Sequence, residues 1–292
     1  TDSDSVIVKV RILLAQLIES RRDEVCGIFC CRPYCLILRR LRAIHTEHLG
    51  GTMYSFDSRV RYSETDEAGK LTVLGIINYM QDCSTFHSEE VGVGVQVLEN
   101  RRRAWMLSSW QILIDRYPEL GEEIRISTWH NESRGIHGYR NFVIRSCQGE
   151  SLVRAGSVWF LYDLVKGTPA RVTPEDIGPY GEPEPKLELP SMPRRIALPE
   201  QYQEGEPIPI LRHHLDSNHH VNNAQYVEMA RELIPEQLTV REIRAEYRKA
   251  AVLGDMLYPR VGKEGDNIWV VALCGPEGEP HACVWLNCCL KF

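Results

Sequence analysis

The strongest constraint on the fold is one order of segments that occurs twice. From Tyr54 onward the chain reads as a strand (56–61), a helix (71 to about 91) and four strands (104–114, 123–129, 139–146 and 152–162). The strands rest on alternating or continuous apolar runs. The helix rests on Ile76, Tyr79, Met80, Cys83 and His87, which share one face, with Gly92 and Gly94 as stops behind it. After residue 209 the order returns: a strand at 208–214, a helix at 222–234, and strands at 239–247, 255–261, 268–273 and 282–290. A strand, a helix and four strands, taken twice, predict an α+β protein of two tandem units. Each is an antiparallel sheet wrapped around a helix.

The stretch between the copies is different in kind. Residues 164–209 hold ten of the sixteen prolines, with Glu182-Pro183-Glu184-Pro185 in the middle. Proline fixes φ and removes a donor, so this segment reads as a semi-rigid linker. The expected organisation is therefore an extension at 1–52, a first unit at 53–163, the linker at 164–209 and a second unit at 210–292. The extension contains a basic amphipathic segment at 36–44, with Arg39, Arg40 and Arg42. Such a segment suits a membrane surface or a partner. The simpler reading, an extension without assigned function, is adopted.

Composition narrows the function classes. The chain has 292 residues, 43% hydrophobic and 25% charged, with a net charge of −6. That balance offers no bulk attraction to nucleic acid. No apolar run reaches the length of a membrane span. Thr1-Asp2-Ser3-Asp4 followed by Lys9 and Arg11 makes a poor secretory signal. The ten cysteines, including Cys26, Cys30, Cys31 and Cys35, lack a usual zinc spacing and read as reduced thiols, as in the cytoplasm.

Chemistry concentrates at the start of the second helix. Asp216, Asn218 and His220 stand at alternate positions, so an extended or looped segment points all three side chains one way. Behind them the helical pattern begins, and a helix start presents unpaired N–H groups. That combination can hold a carbonyl and stabilise the oxyanion formed on attack. A helix cap alone would explain one Asp or Asn but not the whole set with Asn222-Asn223. A metal cluster would want His-x-x-x-His on a helix or a Cys-x-x-Cys pair, and neither accompanies the histidines.

The two copies align at this point with an offset of 150 residues. Asp66-Glu67-Ala68-Gly69-Lys70-Leu71 lies over Asp216-Ser217-Asn218-His219-His220-Val221. The first copy keeps the aspartate but has Ala68 for Asn218 and Lys70 for His220. It is thereby free to hold something else. Leu74, Ile77, Met80 and Phe86 on its helix would suit an apolar guest, or serve as plain core.

The segments Asp216-x-Asn218-x-His220-Val221-Asn222-Asn223-x-x-Tyr226, Glu246-Tyr247-Arg248-Lys249 and Gly254-Asp255 resemble the acyl-acyl carrier protein thioesterases of plants and bacteria. So do Tyr62-x-Glu64-x-Asp66-x-x-Gly69-x-Leu71, 78–84 and Ser157-Val158-Trp159-x-Leu161-x-Asp163. The resemblance runs from about Tyr54 to the end. It implies a double hotdog fold, acyl-chain binding in the first unit and catalysis in the second. It also implies hydrolysis of fatty acyl-carrier protein thioesters, with acyl carrier protein as partner. No cofactor is expected, and because two fused units already supply the pairing that single hotdogs obtain by dimerising, a monomer or homodimer is expected.

On that basis Asp216, Asn218 and His220 are the expected catalytic set. Val221, Asn222 and Asn223 are expected to bind the thioester, and Leu74, Ile77 and Met80 the chain. Arg101-Arg102-Arg103 and Arg194-Arg195 are candidate docking sites for the acidic carrier. The chain departs from the family where a Glu or Glu-Cys pair often stands, carrying Ala250 and Ala251 instead. A cysteine nucleophile there is excluded, which leaves direct attack by water activated by His220, by Asp216 or by both coupled, with Glu246 a possible substitute carboxylate. An acyl-coenzyme A thioesterase of the same fold, a non-catalytic acyl-binding protein and a metal-dependent hydrolase are the competing readings.

Overall fold

Ile112 and Ile243 face each other across the seam where the two units join. Both side chains are fully buried. The computed structural model describes residues 53–290 apart from Met192, Arg194, Leu198 and Pro199. The expectations for 1–52, the basic segment 36–44, its four cysteines and Arg194 lie outside the described residues.

The first unit comprises β1 (Met53–Arg59), α1 (Val73–Glu90), the short α2 (Val95–Asn100), β2 (Arg103–Ile114), β3 (Glu123–Arg134), β4 (His137–Ser146) and β5 (Ser151–Asp163). The connector holds β6 (Thr168–Pro169), α3 (Pro174–Ile177) and β7 (Gln203–Glu204). The second unit comprises β8 (Ile208–Pro209), α4 (Asn223–Glu232), β9 (Leu238–Tyr247), β10 (Met256–Lys263), β11 (Ile268–Cys274) and β12 (Pro280–Leu290). Two tandem hotdog units are thus built from the repeated order.

The main sheet runs β1-β3-β4-β5-β2-β9-β12-β11-β10-β7, with β8 also paired to β10. Order β1-β3-β4-β5-β2 in one half mirrors β8-β10-β11-β12-β9 in the other. The pairing of β2 with β9 therefore lies on a pseudo-twofold axis. Residues Leu107, Trp110, Ile112 and Ile114 of β2 turn inward, with the near-regular spacing of two that a half-buried strand requires.

Helix α1 packs Ile76, Ile77, Met80 and Cys83 against the inside of this sheet. Thr72 caps it, its Oγ1 accepting the Gly75 N–H at 3.0 Å. Gly92, at φ 76°, ends it. Helix α4 is shorter, because Pro235 cannot continue it.

The strand expected at 208–214 covers only Ile208–Pro209, and Arg212–His214 form a 3₁₀ turn leading to the catalytic candidates. Alternation of side chains along a short turn resembles a strand, and only the backbone bonds distinguish them. The short helix α2 was also not anticipated, since six residues carry too little periodicity to register.

Candidate active site

The aspartate of each copy organises a turn by accepting hydrogen bonds from the backbone two and four residues on. Asp216 Oδ1 accepts the N–H of Asn218 at 2.8 Å and of His220 at 3.4 Å. Asp66 Oδ1 accepts the N–H of Ala68 at 3.0 Å and of Lys70 at 2.9 Å. The backbone repeats as well: Asp216 N–H donates to the His220 carbonyl and Asp66 N–H to the Lys70 carbonyl, both at 2.8 Å. Both aspartates therefore hold the turn. Only the second copy adds Asn218 and His220 to it.

The turn delivers the chain to α4 with almost every donor committed. Val221 N–H donates to the Ala251 carbonyl and Asn222 N–H to the His214 carbonyl, each at 2.9 Å. Asn222 caps the helix, its Oδ1 accepting the Ala224 N–H at 2.9 Å, while its carbonyl accepts the Gln225 N–H at 2.9 Å. The N–H of Asn223 remains without an acceptor among the described residues. Of the backbone donors expected near 221–223 to meet an oxyanion, Val221 and Asn222 are thus occupied, and Asn223 alone is available.

A cavity of about 1130 Å³ opens onto this turn. Asp216, Asn218, His220, Val221, Asn222 and Asn223 all line it. Leu74, Ile77 and Met80 do not: they belong to the core, where Ile77 and Met80 are fully buried against the sheet and Leu74 packs partly buried beside them. Phe86 is about half exposed and meets Phe56 edge to face. The opposite, polar face of α1 meets the cavity instead, through Asn78, Gln81, Ser84, Thr85 and Ser88. Their spacing of three and four residues was the signal available in the sequence. The apolar face of the same helix drew the expectation toward the core.

The apolar wall of the cavity comes from β2 and β5, notably Trp105, Met106, Leu107, Trp159 and Phe160. Arg140, also lining it, is buried and has no carboxylate partner among the described residues. Its Nη1 meets His87 Nδ1 at 2.9 Å and Thr128 Oγ1 at 3.3 Å, and its guanidinium carbon lies 4.8 Å from the Tyr180 ring centre. Burial, reinforced by the Arg140 charge, pushes the His87 pKa down to about 3, so the ring is neutral and accepts the guanidinium proton. Tyr180 reaches in from the connector and shares a 2.8 Å hydrogen bond with Ser88.

The turn has two groups with open acceptor capacity. Asp216 Oδ2 and the His220 ring make no hydrogen bond to described residues, and no side-chain bond joins the two. The expected coupling of Asp216 to His220 runs through the His220 backbone N–H only. Tyr226, pushed up to about 12 by burial, stays protonated and accepts the Ala251 N–H at 2.8 Å. Tyr247, also raised by burial, donates to the Asn223 carbonyl at 2.9 Å.

Glu246 does not replace the missing carboxylate. It accepts from Arg248 at 2.9 Å and from the Ile196 N–H at 3.0 Å, away from the cavity. Ala250 lines the cavity, while Ala251 is fully buried. Among the candidate docking arginines, Arg103 is held by Asp176 at 2.6 Å and Arg101 reaches the Glu175 carbonyl at 3.4 Å, so both are tied to α3. Among the described residues no three His, Cys, Asp or Glu side chains converge as metal ligands.

The pattern of the acyl-ACP thioesterase N-terminal domain matches residues 51–180, and that of the C-terminal domain matches 199–265. The chain belongs to the acyl-ACP thioesterase family. Similar curated proteins of the family include two from Arabidopsis thaliana. A chloroplastic palmitoyl-acyl carrier protein thioesterase is 23% identical over 77% of this chain and 58% of its own length. A chloroplastic oleoyl-acyl carrier protein thioesterase is 26% identical over 78% and 68%. The chain thus spans only about half to two thirds of the curated relatives it matches.

Two solved structures share the fold. An acyl-ACP thioesterase from Bacteroides thetaiotaomicron gives a TM-score of 0.74 at 24% identity, covering 81% of this chain and 98% of that one. The 12:0-ACP thioesterase from Umbellularia californica gives 0.70 at 21%, covering 84% and 100%. No helix among the described residues is long and apolar enough to cross a membrane.

Proposed function

We propose that this chain hydrolyses thioesters between a fatty acyl chain and acyl carrier protein, using water and no covalent enzyme intermediate. The observation that carries this is one cavity lined both by the Asp216, Asn218 and His220 turn and by the apolar wall of β2 and β5. The thioester carbonyl lies at the start of α4 in this reading, with the acyl chain in the first unit. Asp216 Oδ1 is held by two backbone N–H groups, which leaves Oδ2 fixed and free to take a proton from water. The water oxygen adds to the carbonyl carbon, and the oxyanion is met by the Asn223 N–H and the Asn218 amide. One such donor is worth about 2.7–4 kcal/mol. Collapse breaks the C–S bond, and the proton held on Asp216 Oδ2 passes to the leaving sulfur, giving a free acid and a free thiol.

Ala250 and Ala251 support water rather than a side chain as the nucleophile. Six described cysteines are free thiols, which suits a reducing setting such as the cytoplasm. Fused units already supply the pairing that a hotdog needs, so the reading accommodates a monomer or a dimer of such chains. The test is thiol release from octanoyl and longer thioesters of carrier protein and of coenzyme A. Faster turnover of the carrier-protein series is expected. Faster turnover of coenzyme A thioesters would replace the substrate class, and tight acyl binding without release would make the chain a binding protein.

A further inference from the structure

The first unit sends one side chain directly onto the cap of the catalytic helix. Gln81 of α1 donates from Nε2 to Asn222 Oδ1 at 3.1 Å, across 141 residues of sequence. That same oxygen accepts the Ala224 N–H at 2.9 Å. Asn222 is therefore bound at both side-chain and backbone level, and the next residue carries the open N–H. Both Gln81 and Asn222 line the cavity.

The pseudo-symmetry supplies a control within the molecule. With the offset of 150 residues, the counterpart of Gln81 is Arg231, and that of Asn222 is Thr72. Arg231 turns away and donates from Nη2 to the Leu238 carbonyl at 3.0 Å. Thr72 caps α1 by accepting the Gly75 N–H at 3.0 Å. The cross-helix bond thus exists only beside the copy that has the polar trio. A contact serving the scaffold alone would be expected on both sides of the axis.

We infer that Gln81 is a positioning residue for catalysis: it fixes the Asn222 cap so that the Asn223 N–H stays aimed at the reacting carbonyl oxygen. This rests on the hydrolytic reading for its effect on rate, but the geometry it predicts is readable without turnover. Losing the Gln81 donor leaves the Asn222 side chain held by the Ala224 N–H alone and lets the helix start shift. A shift on the order of 1 Å at an oxyanion donor lowers kcat by about a hundred-fold. The chain-binding wall is left in place, so KM changes little.

The test compares native protein with Gln81→Leu and Gln81→Glu, each checked for folding by its melting temperature. Gln81→Leu is expected to lower kcat by about ten- to a hundred-fold, with KM held within about a factor of two. Gln81→Glu can donate to Asn222 Oδ1 only when its carboxyl is protonated. Its rate relative to native protein should therefore fall as pH rises, a dependence that lost packing would not produce.

A binding measurement separates this inference from the hydrolytic reading. An alkyl trifluoromethyl ketone hydrates in water to a tetrahedral centre, and the unfluorinated ketone of the same chain does not. Native protein should prefer the fluorinated ketone, and Gln81→Leu should lose most of that preference while binding the plain ketone unchanged. That result upholds the inference even if no thioester is hydrolysed. Preserved preference or preserved kcat in Gln81→Leu overturns it, whatever the native activity. Equal weakening of both ketones also overturns it, marking Gln81 as a packing residue. If Gln81→Leu fails to fold, the pH dependence of Gln81→Glu decides, and a flat ratio overturns the inference.

Discussion

Gly69 and His219 hold the same place in two copies of one turn, with φ of 70° and 61°. Each N–H closes the turn onto the aspartate three residues back, at 3.0 Å to the Asp66 carbonyl and 3.1 Å to the Asp216 carbonyl. The first copy uses the residue that tolerates this backbone freely. The second holds an imidazole there, at the edge of the cavity.

His219→Gly is therefore expected to leave the melting temperature unchanged or raise it, because glycine removes the left-handed penalty. His219→Val, β-branched at the same φ, should destabilise by about 1–2 kcal/mol. Urea unfolding of the two variants checks the ordering, and equal stability of both would show that the turn relaxes without strain.

Ala250 and Ala251 should respond oppositely to a carboxylate. Ala250 is exposed on the cavity wall, and Ala250→Glu should fold with nearly native stability. Ala251 is fully buried in the core, and Ala251→Glu would place an unpaired carboxyl there. Loss of a cooperative melt in the second variant only is the expected outcome.

The Tyr226 hydroxyl holds the buried Ala251 N–H. Tyr226→Phe leaves that donor without an acceptor and should destabilise by about 1–3 kcal/mol. Denaturant unfolding measures it directly. A change below a few tenths would mean that the Ala251 segment finds another partner.

His87 makes acid stability measurable. Its pKa in the folded chain is depressed to about 3 by burial beside Arg140, whereas the unfolded chain protonates it near its ordinary 6.5. Between those values the unfolded state binds the extra proton. Its contribution to stability is thus complete above pH 6.5 and is lost as pH falls toward 3. The slope is about 1.4 kcal/mol per pH unit. His130 and His281 are depressed in the same sense, so the informative quantity is the difference between native protein and His87→Gln. A shallower decline in the variant is expected, and parallel curves would contradict the assignment.

The repeated fold was legible because its signals are local. Alternation along β2 and the apolar stripe of α1 announce themselves within a few residues. The aspartate turn was legible for the same reason, since Asp216, Asn218 and His220 are close in sequence and all reach one cavity. What escaped the sequence depends on long-range pairing. Gln81 meets Asn222 across 141 residues, and Arg140 meets His87 across 53. Leu74, Ile77 and Met80 show the converse limit. Apolar residues on a helix satisfy a core and a lipid pocket equally well, and only the sheet on one side of α1 decides between them. Nor can a sequence say which N–H groups of a helix start are already taken, so Val221 and Asn222 looked as available as Asn223.

The most direct test of the central claim is free-thiol release from a chain-length series of acyl-carrier protein thioesters by native protein and by Asp216→Asn. The substituted side chain keeps an oxygen for the Asn218 and His220 N–H groups, so the turn is preserved while the carboxylate is lost. Native protein is expected to release thiol, and kcat of the variant to fall by about 10²–10⁴-fold. Unchanged turnover in the variant, or no release by native protein at any chain length, would contradict the claim.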